Sequence, residues 1–149
     1  MCCRMYGRKD VFRKNDWGRE IAPGGEIPIR TKKGIFIGRW GGVAKPGEKI
    51  QGHARIETLQ SKWLEKGWHP VDIPHIELFS ERNTVQKNGE IVRFTMPEGH
   101  VIKGVAKMQN LGNGEKVIDV RVITEAASGA VEGVHHRMPM IREAEYADS

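Results

Sequence analysis

Short apolar stretches alternate with turn signals along the whole chain, which is typical of a strand-rich protein. The clearest alternation covers residues 117–123, where Ile118, Val120 and Val122 would share one face of a strand. Two Asn-Gly dipeptides, at 88–89 and 113–114, favour tight hairpin turns. The other predicted strands are 27–30, 34–38, 90–94 and 101–105.

Helices are predicted to be short and few. Residues 57–66 place Leu59 and Trp63 one turn apart on the same side of a helix, and Gly67 follows as a stop signal. A second short helix is predicted over 125–131. This combination favours an α+β, β-rich fold of antiparallel sheets with short helices, and it argues against a doubly wound parallel sheet.

The length and composition restrict the class of protein. With 149 residues, the chain is expected to form one domain, over 1–149, with a core of its own. No apolar run reaches the roughly 18–20 residues of a membrane span, and the first residues lack the apolar segment of a signal peptide. The two cysteines are adjacent, so no disulfide framework is expected and a reducing, cytoplasmic location is favoured.

The charge is moderately basic, since 24 Lys and Arg against 19 Asp and Glu give a net charge of +5. This balance suits a polyanionic partner such as nucleic acid, although many soluble proteins share it. Arg39 and Trp40 could hold a phosphate and stack a base. A tryptophan at the end of a strand is, however, more often a core residue, so both interpretations stay open at this point.

The amino terminus carries the most unusual chemistry. Cys2 directly follows the initiator methionine, and it is small enough to permit removal of Met1. The product would carry an amine and a thiol on one residue. The amine, with a pKa of about 8, condenses with an aldehyde to an imine, and the thiol closes the imine to a thiazolidine. The plain alternative is an incidental terminal cysteine, and a retained Met1 would block the reaction.

Two histidine-containing segments add candidate chemistry. His135, His136 and Arg137 combine proton transfer near neutral pH with a phosphate-binding group, whereas a solvated surface loop explains them equally well. Residues 53–58 precede the predicted helix, where Glu57 or Thr58 could simply serve the helix start. Adjacent cysteines lack the usual spacing of zinc ligands, so no metal is expected.

Five short motifs occur together and in order, and in this combination the chain resembles the SRAP family, the SOS-response-associated peptidases or abasic-site-processing proteins. The motifs span most of the chain, from Cys2 to Pro139. They are Met1-Cys2-Cys3-Arg4, Ile21-Ala22-Pro23, Arg39-Trp40-Gly41, His53-Ala54-Arg55-Ile56-Glu57-Thr58, and Thr124-Glu125-Ala126 followed by His135-His136-Arg137-Met138-Pro139.

The resemblance implies a fold and a function. The family fold is a compact, β-rich α+β domain with a positively charged groove that meets the amino terminus. Such proteins bind single-stranded DNA at abasic sites, remove their own Met1, and crosslink the exposed cysteine to the ring-opened sugar as a thiazolidine. The resemblance therefore implies an autopeptidase and crosslinking protein of the DNA damage response in a bacterium or phage. We expect a monomer with no cofactor, no metal and no membrane partner.

Site residues follow from the resemblance position by position. Cys2 would be the nucleophile, and His135 would assist sugar ring opening and proton transfer. His53 stands where the family has an asparagine that orients the nucleophile. Glu81 is the candidate general acid and base, with Glu77 as the second choice. The residues implied to contact DNA are Arg4, Arg39, Trp40, Arg55 and Arg137.

Several positions depart from the family pattern. His53 replaces the asparagine, Cys3 replaces a glycine, and the stretch around Glu81 matches poorly. His136 replaces an aspartate, which is expected to lower the pKa of His135. These departures keep two alternatives open: a non-catalytic module on the same fold that binds single-stranded nucleic acid or a protein, and a cysteine-dependent peptidase.

Overall fold

The computed structural model describes residues 2–8, 11 and 20–146, with only the backbone described at positions 2 and 3. This part of the chain forms twelve strands, a one-turn α-helix and three 3₁₀ turns. The strands are β1 Cys2–Gly7, β2 Glu20–Ile21, β3 Glu26–Thr31, β4 Gly34–Trp40, β5 His53–Arg55, β6 His69–Ile73, β7 Ile76–Arg82, β8 Ile91–Thr95, β9 His100–Asn110, β10 Lys116–Ala126, β11 Arg137–Pro139 and β12 Ile141–Glu143. The helix α1 is Leu59–Lys62, and the 3₁₀ turns are Ile56–Thr58, Leu64–Lys66 and Gly129–Val131.

Five strands close into a barrel in the order β3, β4, β10, β9, β6 and back to β3. The long strands β9 and β10 form a hairpin whose turn contains Gly114 at φ +86°, as the Asn-Gly dipeptide predicted. Four of the five strands predicted from the sequence fall within β3, β4, β9 and β10, and the fifth, 90–94, begins one residue before β8, so the β-rich α+β class is confirmed.

Two pairings differ from the antiparallel sheets that were expected. Strand β10 runs parallel to β4 at Asp119 and Val120, and parallel to β5 from Val122 to Thr124. The alternation of apolar side chains shows which residues face the core, but it carries no information about the direction of the neighbouring strand. The parallel pairs are therefore a property of the tertiary structure alone.

A second, antiparallel sheet in the order β2-β1-β7-β8 packs on the barrel. Met5, Phe79 and Phe94 are directly opposite one another on three neighbouring strands, and the two phenyl rings stack at 5.3 Å. Met5 and Phe79 are buried in the same hydrophobic core as Val120 and Val122 of the barrel. This shared core fixes which face of the second sheet points inward.

The predicted helix over 57–66 is broken into three short pieces, namely two 3₁₀ turns with α1 between them. Gly67, at φ +89°, ends the last piece as predicted. Leu59, Trp63 and Leu64 pack on a small core that contains Ile123 of β10. The apolar spacing therefore identified the buried side correctly but overestimated the regularity of the helix.

The predicted helix over 125–131 is wrong at its start. Glu125 and Ala126 continue β10 and pair with Met138 and Arg137 of β11, so only Gly129–Val131 forms a 3₁₀ turn. Pairing with β11 overrides the local helix preference of these residues. Within the described ranges, no helix has both the length and the apolar character needed to cross a membrane.

The close approach of β4 and β10 makes Gly38 sensitive to substitution. A Cβ atom at Gly38 would lie 2.5 Å from Cγ2 of Val120 and 2.9 Å from the carbonyl oxygen of Ile118. A backbone oxygen cannot rotate away, so we expect Gly38→Ala to lower the free energy of unfolding by roughly 1–3 kcal/mol in urea titrations. Gly133→Ala is the matched control, because no described atom lies within 4 Å of its Cβ position. Equal losses in the two variants would contradict this account.

Candidate functional site at the start of β1

The first strand begins with a backbone irregularity. Cys2 is opposite Glu81 of β7, whereas Arg4 is opposite Ser80, so the two strands lose register at Cys3. An extra residue of this kind is a β-bulge, which bends a strand and redirects its side chains. The side chains of Cys2 and Cys3, and the expected removal of Met1, lie outside the described residues.

The pairing of β1 with β7 places Glu81 opposite Cys2. It is completely buried, on the inward face that Phe79 also occupies two residues earlier. A carboxyl group shielded from water is suited to proton transfer with a reacting group. Glu77, the second choice, is exposed and lies towards the other end of the β1–β7 pair, so the geometry favours Glu81.

His53 lies at the start of β5, opposite Val122 of β10. Its ring meets the edge of Trp40 at a centroid distance of 6.0 Å, and its buried Nε2 has no hydrogen-bond partner among the described residues. Burial, followed by the positive charge of the amino terminus, lowers the pKa of His53 to about 4. The imidazole is therefore neutral at neutral pH.

His135 is buried in the turn that leads into β11. Its Nδ1 accepts the backbone N–H of Arg137 at 3.0 Å, and its ring stacks on His136 at 4.7 Å. Burial is the main cause that lowers the pKa of His135, with smaller contributions from the amino terminus and from His136. His136 thus acts in the expected direction, although desolvation is the larger effect.

Several contacts gather these groups at one end of the fold. The charge of the amino terminus acts on the pKa of both His53 and His135. The Thr84 N–H, just beyond β7, donates to the carbonyl of Val134 at 2.9 Å and so ties the end of β7 to the residue before His135. Strand β1 also lies against β11. Strands β1 and β7, which carry Cys2 and Glu81, therefore meet the segment that carries His135.

Arg137 is held firmly beside this site. It forms a bidentate pair with Glu57 at 2.6 and 2.9 Å and donates to the carbonyl of Thr124 at 2.8 Å. The hydrogen bond from Arg137 is the main cause that lowers the pKa of Glu57 to about 2. Arg55, which is exposed, is 3.8 Å from the same carboxylate. Two of the expected DNA-contacting arginines therefore share one acidic partner.

The other two expected arginines are placed differently. Arg4 is exposed on β1 and pairs with Glu20 at 2.8 Å. Arg39 is partly buried and donates to the carbonyl of Gly24 at 3.0 Å, so it supports a neighbouring turn. Neither residue belongs to the cluster around Arg137.

The expected contact between Trp40 and DNA is wrong. Trp40 is 0% exposed, and its Nε1 donates to the carbonyl of Gly52 at 2.9 Å. A Cβ atom at Gly52 would lie 2.6 Å from Nε1, so the glycine permits this packing. Trp40 therefore cannot stack on a base at the surface. Its ring instead packs against the ring of His53.

Glu57 shows what sequence reasoning missed. The 3₁₀ turn that contains it has no side-chain cap, so the helix-start interpretation does not describe its role. Its partner Arg137 is 80 residues away in the chain. No local pattern connects two such positions, and only the pairing of β10 with both β5 and β11 brings them together.

Comparisons with known proteins establish the fold. No protein-family model matches the chain, and no curated protein matches it. A crystal structure of a protein from Bordetella bronchiseptica is similar, with a TM-score of 0.72 and 19% sequence identity over 93% of this chain and 83% of that one. At this level of identity the likeness shows the fold alone.

The depressed pKa of His53 predicts how stability depends on pH. The unfolded chain takes up a proton near pH 6.5 and the folded one near pH 4, so stability falls as the pH drops through this interval. Between pH 7 and 5 the loss due to this group should be about 1–2 kcal/mol. We expect His53→Asn to reduce the loss measured by urea unfolding at the two pH values. An unchanged loss in the variant would show that His53 titrates normally in the fold.

Proposed function

We propose that this protein captures abasic sites in single-stranded DNA by forming a thiazolidine with Cys2, as in the SRAP family that it resembles. The observation that carries the proposal is the pairing of Cys2 with the buried Glu81, on strands that contact the segment around His135. The same proposal assigns the protein to the DNA damage response in the cytoplasm of a bacterium or of a phage-infected cell, as a monomer.

The proposed chemistry balances without a cofactor. Hydrolysis of the Met1–Cys2 peptide bond consumes one water and exposes the amine. The amine adds to the aldehyde carbon of the ring-opened sugar, and water leaves to give an imine. The thiol sulfur then adds to the same carbon while its proton passes to the nitrogen. One aldehyde and one aminothiol thus yield one thiazolidine and one water.

Each proton transfer has a candidate group. Glu81 is the general acid and base near the peptide bond and the sugar, since it is opposite Cys2 across the strand pair. His135 assists opening of the sugar ring. His53 replaces the family's asparagine as the residue that orients Cys2, because its neutral ring has a buried nitrogen without another described partner.

The proposed partner is single-stranded DNA because of the arginines near the site, of which Arg55 is exposed. Arg55 and Arg137 share Glu57, and the side chain of Glu57 is about half exposed. The exposed pair of Arg55 with Glu57 contributes little to stability, so a phosphate group can replace the carboxylate beside Arg55 at small cost, whereas the Arg137 side chain is only 11% exposed. We therefore expect affinity for DNA to fall as salt rises.

The second candidate is a non-catalytic module that holds single-stranded nucleic acid or a protein. The observation that favours it is His53, whose ring is larger than the amide of an asparagine and could displace the nucleophile. The mass of the purified protein separates the two functions, since a retained Met1 leaves no terminal aminothiol. A cysteine-dependent peptidase would instead cleave added peptides and need no DNA.

Replacement of the nucleophile gives the decisive test. We expect Cys2→Ala to abolish a heat-stable covalent band on a denaturing gel with an abasic oligonucleotide, because alanine has no thiol to close the ring. Binding of the same oligonucleotide should persist. Cys3→Ala is the matched control and should still form the band. A full-strength band from Cys2→Ala would exclude Cys2 as the crosslinking residue.

The two glutamates on β7 provide a second comparison. We expect Glu81→Gln to slow crosslinking by roughly 10²-fold, which is the ordinary contribution of a general acid or base. Glu77→Gln removes the same charge from an exposed position four residues earlier and should leave the rate unchanged. Time courses of band formation measure both rates. If Glu77→Gln crosslinks slowly and Glu81→Gln crosslinks at the wild-type rate, Glu77 is the general acid and base instead of Glu81.

A further inference from the structure

The second sheet has an outer face with its own row of polar side chains. Arg4, Ser80 and Arg93 are directly opposite one another on β1, β7 and β8. They alternate with Met5, Phe79 and Phe94, which point into the core, so the polar row lies on the opposite face of the sheet. With about 4.8 Å between strands, the row spans roughly 10 Å from one arginine to the other.

Ser80 is the unusual member of this row. It is 0% exposed although it belongs to the outer face, and its Oγ is buried without a hydrogen-bond partner among the described residues. A buried hydroxyl group without a partner lowers stability by about 1–3 kcal/mol, so native proteins contain few of them. A ligand with acceptor oxygens would supply the missing partner.

The two arginines that flank Ser80 are both exposed. Arg93 is exposed, lies over the ring of Tyr6 at 5.2 Å, and forms no ion pair within the described part of the chain. Arg4 pairs with Glu20, but both side chains are about half exposed, at 49% and 54%. Such a pair is weak in water, and a doubly hydrogen-bonded phosphate is a stronger partner for a guanidinium.

We propose that Arg4, Ser80 and Arg93 bind a phosphodiester group of the DNA strand, close to the nucleotide that reacts at Cys2. The inference rests on the proposed function and deepens it, since Arg4 is two residues from Cys2 on the same strand. The strand would thus continue from the reactive end of β1 onto the outer face of the sheet. Tyr6, on the same face, packs its ring against Arg93.

The first test uses an oligonucleotide with intact bases, so that crosslinking plays no part. We expect Arg93→Gln to weaken binding roughly tenfold at low salt, because one charged hydrogen-bonding partner is lost. The slope of log K against log salt should become shallower by about 0.7, the value for one phosphate contact on a single strand. Fluorescence anisotropy over a series of NaCl concentrations measures both quantities.

Lys116→Gln is the matched control, since it removes one exposed positive charge at the start of β10, outside this sheet. Equal effects of Lys116→Gln and Arg93→Gln would overturn the proposal, because only net charge would then matter. Titration with inorganic phosphate tests whether the site binds free phosphate instead of the phosphodiester of a DNA strand. Saturable binding of free phosphate, with no Arg93-dependent binding of the oligonucleotide, would also overturn it.

Ser80→Ala separates a binding role from a structural one. Loss of a buried hydroxyl group without a partner should leave the free energy of unfolding unchanged or raise it. If Ser80 binds phosphate, the same variant should nevertheless bind the oligonucleotide less tightly. If Ser80→Ala binds the oligonucleotide as tightly as wild type, Ser80 does not contact the phosphate and the proposal is wrong.

The outcomes also separate this inference from the proposed function. If wild-type protein crosslinks abasic DNA but Arg93→Gln keeps the wild-type salt slope, the proposed function is supported and the proposed phosphate site is wrong. If the salt slope shows a phosphate contact at Arg93 but no crosslink forms, the proposed phosphate site is supported and the proposed covalent chemistry is wrong.

Discussion

The antiparallel pairing of β1 with β7 is the constraint on which the candidate site depends. Met5 is completely buried opposite Phe79, and this pair fixes the register of the first strand. Because side chains alternate between faces, a slip by one residue would move Arg4 into the core. Continued without a break, this register would put Cys2 opposite Arg82, and the bulge at Cys3 shifts it to Glu81. A hydrophobic interaction three residues away and the bulge at Cys3 together position the reactive end of the chain.

Strand β10 provides the second half of the site. It pairs with β9 and β4 in the barrel, and its last residues pair with β5 on one side and β11 on the other. Thr124 is consequently opposite both Arg55 and Pro139. His53, at the start of β5, and Arg137, at the start of β11, are positioned by one strand. A rigid barrel strand of this kind suits groups that must stay in place during proton transfer.

The sequence predicted the parts of the fold that depend on local pattern. The alternation in 117–123 identified the inward face of β10 correctly, and Gly67 marked the end of a helical segment. The sequence could not show that β10 has parallel neighbours or that Glu57 holds Arg137, since both depend on residues far apart in the chain. Trp40 was misjudged because an indole beside an arginine has the same local pattern at a surface and in a core.

The charges around the site are arranged so that both imidazoles stay neutral. Burial and the positive amino terminus lower the pKa values of His53 and His135, whereas cations lie on the outer face and around Glu57. In the proposed reaction the terminal amine must lose a proton before it can attack an aldehyde. An imidazole can accept that proton only in its neutral form, but the lowered pKa that keeps the ring neutral also makes it a weaker base. Burial thus makes both rings neutral but weakly basic, which suits positioning of the amine better than its deprotonation.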